Sequence, residues 1–189
     1  MPARHAAGMG QSYDAITPAQ REWIAAQQIF FVATAPRADS GHVNCSPKGG
    51  DSFRVLGERE VAYADLTGSG IETIAHLQEN GRIVLMFCAF TGGPQILRLH
   101  GRGEVITPEH PKFPLLSSQF PGLPGLRAII RIDVERVGDS CGYAVPFFDY
   151  AGPRDTLDNW AEAKGPAGLT AYRAKKNATS IDGLRGLKS

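Results

Sequence analysis

Cysteine is scarce in this chain and badly placed for bridging. The three residues, Cys45, Cys88 and Cys141, lie far apart. An odd count without close pairs fits neither a disulfide framework nor a structural zinc site. A reducing, cytoplasmic setting is therefore the expectation. Long apolar runs are also missing. Nothing approaches the roughly 18 residues that a membrane span needs. Residues 1–11 carry Arg4 but no apolar stretch after it, so no secretory signal is expected. Charge of one sign is not in excess: the formal net charge is +1, and no like-charge run exceeds Lys175–Lys176. That balance argues against nucleic acid or an anionic membrane as a constant partner. The five histidines, at 5, 42, 76, 100 and 110, include no pair at i, i+4. A helical metal pair is thus excluded, no metal is expected, and neither a GxSxG elbow nor a P-loop is present.

What is there is a 189-residue chain with 42% hydrophobic residues, enough for one domain with a sizeable core. Thr17-Pro18 opens a helix that runs to about Gln27, since threonine caps free N–H groups and proline suits the first turn. Ile29 to Thr34 is a continuous β-rich run stopped by Pro36. Asp39 to His42 turns the chain, and His42 to Ser46 returns. Phe53–Leu56 and Val61–Ala64 are two further short strands.

Ile71, Ile74, Ala75 and Leu77 form a helical apolar stripe, which Asn80-Gly81 ends. Ile83 to Phe90 and Gln95 to Ile106 are long strands joined by Thr91–Pro94. Residues 107–120 are a short helix or irregular stretch. Leu126 to Arg136 is the last long strand. Two helices follow, from Arg154 to Lys164 and from Ala167 to about Lys176, separated by Gly165-Pro166. The pattern predicts a mainly β fold: a six-stranded antiparallel split β-barrel with peripheral helices and a helical C-terminal tail. Residues 1–16 are expected to form a mobile arm and 17–139 the barrel. Residues 140–189 are expected to be an extension packed on the barrel or on a dimer partner.

Four places carry candidate chemistry. Asn44, Ser46 and Lys48 alternate along a strand end, so an amide, a hydroxyl and an ammonium share one face. Lysine is a compact charge with three donors, suited to phosphate, although most lysines are merely exposed. Asp65, Thr67, Ser69 and Thr73 surround two glycines at a helix start, where unpaired N–H groups and the macrodipole favour an anion. A plain N-cap by Thr67 or Ser69, with Glu72 closing a box on Ser69, explains the same pattern and is compatible with it. Arg98 sits among isoleucine and leucines and needs an anion, either a ligand phosphate or Asp65 or Glu104. The late segment from Arg173 to Leu184 gathers Lys175, Lys176, Asn177 and Ser180. It is either a basic helix end or a tail that folds over a ligand. Cys45, Cys88 and His76 are assigned to packing or surface.

The pieces "FFVATAP", "GHVNCSPKGGDSFRVL", "VAYADLTGSGIETIAHLQENGRIVLMFCAF", "ILRLHGRGEV" and "YRAKKNATSIDGL", in this order, resemble the pyridoxamine 5′-phosphate oxidase-like, FMN-binding split-barrel family. The resemblance implies a homodimer with two flavins at its interface. Lys48 matches the lysine that ends the family's second strand, and Thr67 and Ser69 sit where its hydroxyl ligands sit. The basic residues of the true oxidases are replaced here by Ser69-Gly70-Ile71, and an early arginine by Val43 or Asn44. These departures set the chain apart from enzymes that oxidise pyridoxamine phosphate. The expectation is an FMN-binding flavoprotein, an oxidoreductase acting on an unknown small molecule, with no catalytic residue identified. The alternative is a non-catalytic dimeric barrel that binds flavin, deazaflavin or haem for storage or regulation. His42, His76 and His100 are then candidates for a haem ligand.

Overall fold

A computed structural model describes residues 10–187. Thr17 opens α1 (Pro18–Ala25) with a reciprocal cap. Its hydroxyl accepts from Gln20 N at 3.2 Å, and Gln20 returns the bond to Thr17 N at 2.9 Å. The helix delivers the chain to β2 (Ile29–Thr34), which pairs antiparallel with β3 (Asn44–Gly49). The return strand thus starts two residues later than expected and runs on through Pro47. Proline is tolerated because β3 is an edge strand, where one face of the backbone needs no partner.

β4 (Phe53–Gly57) and β5 (Glu60–Leu66) form a bulged hairpin. α2 (Glu72–Asn80) follows and ends on Gly81, whose φ of 70° is the left-handed value expected of a C-terminal glycine. β6 (Arg82–Cys88), β7 (Ile96–Ile106) and β8 (Leu126–Ser140) complete the long antiparallel set. α3 (Phe113–Ser117) is the short helix of the irregular stretch. α4 (Thr156–Lys176) contains the expected break: Gly165 is non-helical and Pro166 starts the second half.

The strand order is β3-β2-β6-β7-β8-β5-β4, with β1 (Ser12–Tyr13) added against β8. The sheet curls on itself as a split barrel. It has eight strands among the described residues rather than the six expected, because all seven segments read as strands join one sheet and the short β1 adds to it. Part of the expected N-terminal arm is thereby corrected: from Ser12 it pairs with Gly138 and Val137. Residues 1–9 of that arm lie outside the described residues.

The barrel interior is filled by side chains that alternate inward along each strand, among them Phe30, Tyr63, Leu85, Phe87, Leu99 and Ile130. Phe30 and Phe87 stack with centroids 5.6 Å apart. A second apolar cluster under α3 joins Leu116 and Phe120 to Ile106 and Ile129. Gly101 lets β7 bulge against β8, since a Cβ there would meet Asp133 O at 2.1 Å. Among the described residues, the edge strand β3 pairs with no strand other than β2. Side chains close that seam, and they form the site described next.

Candidate functional site

Lys48 reaches from β3 across the open seam and its Nζ donates to Asp65 Oδ1 on β5 at 3.2 Å. It also lies 5.9 Å from the centre of the Tyr63 ring. The other carboxylate oxygen of Asp65 accepts from Arg127 Nε at 2.7 Å. Asp65 is buried, and burial works to raise its pKa. Arg127 and Lys48 outweigh that and hold the carboxyl below its usual range. Arg127 is itself 5% exposed and also donates to Asn177 Oδ1 at 3.0 Å. Asn177 then donates to Gly68 O at 3.0 Å. One turn earlier on α4, Arg173 Nε donates to Thr67 Oγ1 at 2.9 Å, and the Thr67 hydroxyl donates to Gly125 O at 2.7 Å. Desolvation, and then the nearby Arg127, lower the pKa of Arg173.

Three cations therefore gather in a half-buried place with one carboxylate: Lys48 and Arg127 pair with Asp65, and Arg173 is held two residues along by Thr67. Arg127 and Asp65 neutralise each other. Lys48 and Arg173 remain in excess, and each has N–H groups beyond those already engaged. This arrangement fits a bound anion by charge.

The helix start does not. The expected box between Ser69 and Glu72 is absent, because the N-cap of α2 is Ile71 and no side chain caps it from Ser69. Instead Glu72 bends back: its Oε2 accepts from Ile71 N at 2.9 Å and its Oε1 from Ile181 N at 3.3 Å. The carboxylate occupies the end of the helix that an anion would need. A cavity of about 460 Å³ opens here between Asn44, Cys45, Ser69, Gly70, Glu72 and Ile181, with no Lys or Arg in its lining. Neither Ser69 nor Gly70 supplies a cation, so phosphate has no counter-charge there.

The other expected residues divide. Asn44 donates to Thr73 Oγ1 at 3.0 Å, and Ser46 donates to Asn44 Oδ1 at 3.2 Å, so these three do meet. Thr34 links the same group to His76 Nδ1 at 2.9 Å. Burial lowers the His76 pKa, and its Nε2, like the Tyr63 hydroxyl, has no hydrogen-bond partner among the described residues. Arg98 lies elsewhere. The β7 register sets it opposite Met86 and Gly138 on the outer face, with β8 between it and Asp65. Its partner is Ser140 Oγ at 2.9 Å, neither Asp65 nor Glu104. Lys175 and Lys176 are exposed, because the i, i+4 face of α4 that meets the barrel is that of Arg173 and Asn177.

Ser180 is buried in a C-terminal hook, where its hydroxyl accepts from Leu184 N at 3.1 Å. Asp182 pins the hook by accepting from His42 N at 2.8 Å and meeting its Nδ1 at 2.6 Å. Cys45 is exposed, and Cys88 is buried with its thiol pKa raised by desolvation. Burial and the guanidinium groups of Arg136 and Arg98 lower the pKa of His100. Arg127 is the site residue that sequence reading missed, and Arg173 headed the late candidate segment without being singled out in it. The available signal was Asp65, an acid in an apolar strand that demands a cation.

The family model described as pyridoxamine 5′-phosphate oxidase matches residues 16–141. The chain is 39% identical over 194 aligned residues to the pyridoxamine 5′-phosphate oxidase family protein ustO of Aspergillus flavus, covering 94% of this chain and 78% of that one. Among solved structures it is similar to a HupZ variant from Group A Streptococcus, at 25% identity and a TM-score of 0.53, over 66% of this chain and 98% of the other. A crystal structure described as a putative pyridoxamine 5′-phosphate oxidase, from Lactobacillus delbrueckii, shares the fold. It shows 16% identity and a TM-score of 0.51, over 68% of this chain and 98% of that one. No helix among the described residues is long and apolar enough to cross a membrane.

Proposed function

The chain belongs to the pyridoxamine 5′-phosphate oxidase family, and on that premise we propose that it is a flavin-binding oxidoreductase that takes FMN at the Lys48 seam. The carrying observation is the excess of Lys48 and Arg173 over the single carboxylate of Asp65. A half-buried cationic excess is costly on its own and is relieved by an anion. Lys48 and Arg173 are the groups that would hold the phosphate, with Thr67 positioning Arg173. Asn44 and Ser46, on the same face of β3, are polar neighbours suited to the ribityl hydroxyls. The bound flavin supplies the electron or hydride chemistry, while the protein binds, orients and tunes it. The small-molecule substrate is of a class other than pyridoxamine phosphate, since the basic C-terminal residues that grip such substrates in the true oxidases are not recognisable here.

We place the flavin at the interface of a homodimer. Val43 is 74% exposed and Ile181 71% exposed at the mouth of the Asn44 cavity, leaving apolar surface that a second copy would cover. Purified protein should be yellow, release FMN on denaturation and run as a dimer in light scattering. Lys48→Ala should weaken FMN binding by about 1–3 kcal/mol, as for loss of a charge-assisted bond. Colourless protein that takes up no FMN and gains no thermal stability from it would overturn the reading.

A second reading is favoured by the locked state of the acids near the seam. Asp65 is held by two cations and Asp182 by His42, so neither is free to move a proton. A flavin carrier without turnover would bind FMN yet show no reduction by nicotinamides and no reoxidation by quinones.

A further inference from the structure

Past the Gly49 end of β3 lies a larger cavity of about 870 Å³. That volume is within the range of roughly 300–1,000 Å³ typical of small-molecule sites. Its walls are apolar: Ile29 and Phe31 from β2, Leu66 from β5, Phe90, Phe148 from the segment leading into α4, and Leu157 from the first turn of α4. This segment is anchored rather than loose. Phe148 N donates to Phe90 O at 3.0 Å, and the two rings lie 5.3 Å apart. Even so, Phe148 remains 61% exposed and Tyr150 55% exposed, so aromatic faces stay open at the cavity.

The rim is acidic. Asp51, Asp149, Asp155 and Asp158 line it, against Arg154 as the one basic residue. Arg54 answers Asp51 with two bonds, at 2.5 and 2.7 Å. Asp149, Asp155 and Asp158 take part in no ion pair among the described residues. Asp155 and Asp158 lie at the start of α4, whose macrodipole offsets roughly half a charge. With Arg154 subtracted as well, the rim stays negative. An apolar pocket with open aromatic faces and uncompensated carboxylates is complementary to one kind of small molecule: an apolar body carrying a cation.

We propose that this cavity binds a small organic amine in its protonated form. The apolar body fills the space between Phe31, Leu66 and Phe148, and the ammonium lies at the rim with Asp155, Asp158 and the ring of Tyr150. The inference stands apart from the flavin reading, since none of the cations of the seam lines this cavity. The two sites are neighbours all the same. Gly49 and Ser52 border the cavity, and Lys48 is the next residue along β3. A ligand here would be selected by charge against the anion-selective seam.

The test uses the full chain and three naphthalene probes of one shape: 2-(1-naphthyl)ethylammonium, the neutral alcohol and the carboxylate. Binding is followed by calorimetry at low salt. The ammonium should bind about tenfold more tightly than the carboxylate, with the alcohol between them. Asp155→Asn with Asp158→Asn should erase most of that preference and leave the alcohol unchanged. Phe148→Ala should weaken all three. Equal or tighter binding of the carboxylate, no binding of any probe into the millimolar range, or a preference that survives the double variant would each overturn the proposal. Flavin content is scored separately by absorbance, so a failure of the flavin reading leaves this outcome legible.

Discussion

Two neighbouring places at the Lys48–Gly49 end of β3 carry opposite electrostatics. At the seam, Lys48 and Arg127 pair with one buried carboxylate, Arg173 is held close by on Thr67, and Asn177 at the end of α4 ties Arg127 to Gly68 O. Toward the larger cavity, carboxylates stand at an open apolar mouth with little to answer them. The first region is built from charges removed from water, where each partner matters because desolvation is expensive. The second is built from charges left in water, which select a ligand by sign but contribute little to folding. The comparison teaches that the same residue types serve structure in one place and selection in another, with burial making the difference.

The sharpest way to break the contrast is Arg127→Met. Asp65 would then be buried with only the partly exposed Lys48 to balance it, and the loss should reach about 3–5 kcal/mol in urea denaturation. A loss under about 1 kcal/mol would place the seam with the surface pairs. Asn177→Ala should come next, at about 1–3 kcal/mol, because it strands a donor of Arg127 and uncovers Gly68 O.

Acid titrates the same region. The Asp65 pKa is held below its unfolded value, so its contribution is fully present above that value, near pH 4, and is lost as pH falls through the lower folded value. A denaturation series from pH 6 to pH 2 should show wild type losing stability in this window, and Asp65→Asn should flatten part of that slope. The smallest effect belongs to the cavity rim. Asp155→Asn with Asp158→Asn should change stability by less than about 1 kcal/mol, the reach of an exposed helix-end charge. A larger loss would show that these carboxylates hold the fold rather than choose a ligand.

Much of this was legible residue by residue. Alternation along β3 brought Asn44, Ser46 and Lys48 to one face, and Thr17-Pro18, Asn80-Gly81 and Gly165-Pro166 marked helix ends where helices do start or stop. Those features follow from local backbone chemistry, which sequence records directly. The partners did not follow. Arg98 and Arg127 look alike in sequence, each a lone arginine in an apolar strand, yet one lies on the outer face beside Ser140 and the other is locked inside on Asp65. Ser69 and Glu72 have the spacing of a capping box, but Glu72 turns to Ile71 and to the hook instead. A segment more than a hundred residues away decided that outcome.

Local sequence was enough for a β-rich antiparallel barrel, a helix after the fourth of its predicted strands and a polar stripe ending in Lys48. Periodicity and turn chemistry are local, and they do not depend on where the chain ends up. The tertiary structure alone decided which charges are spent and which are left over. Arg127 is consumed by Asp65, and the end of α2 by Glu72. Lys48 and Arg173 remain in excess at the seam, and three carboxylates remain at the cavity. Charge balance is a sum over neighbours in space, and those neighbours come from strand order and from the return of the C-terminal hook.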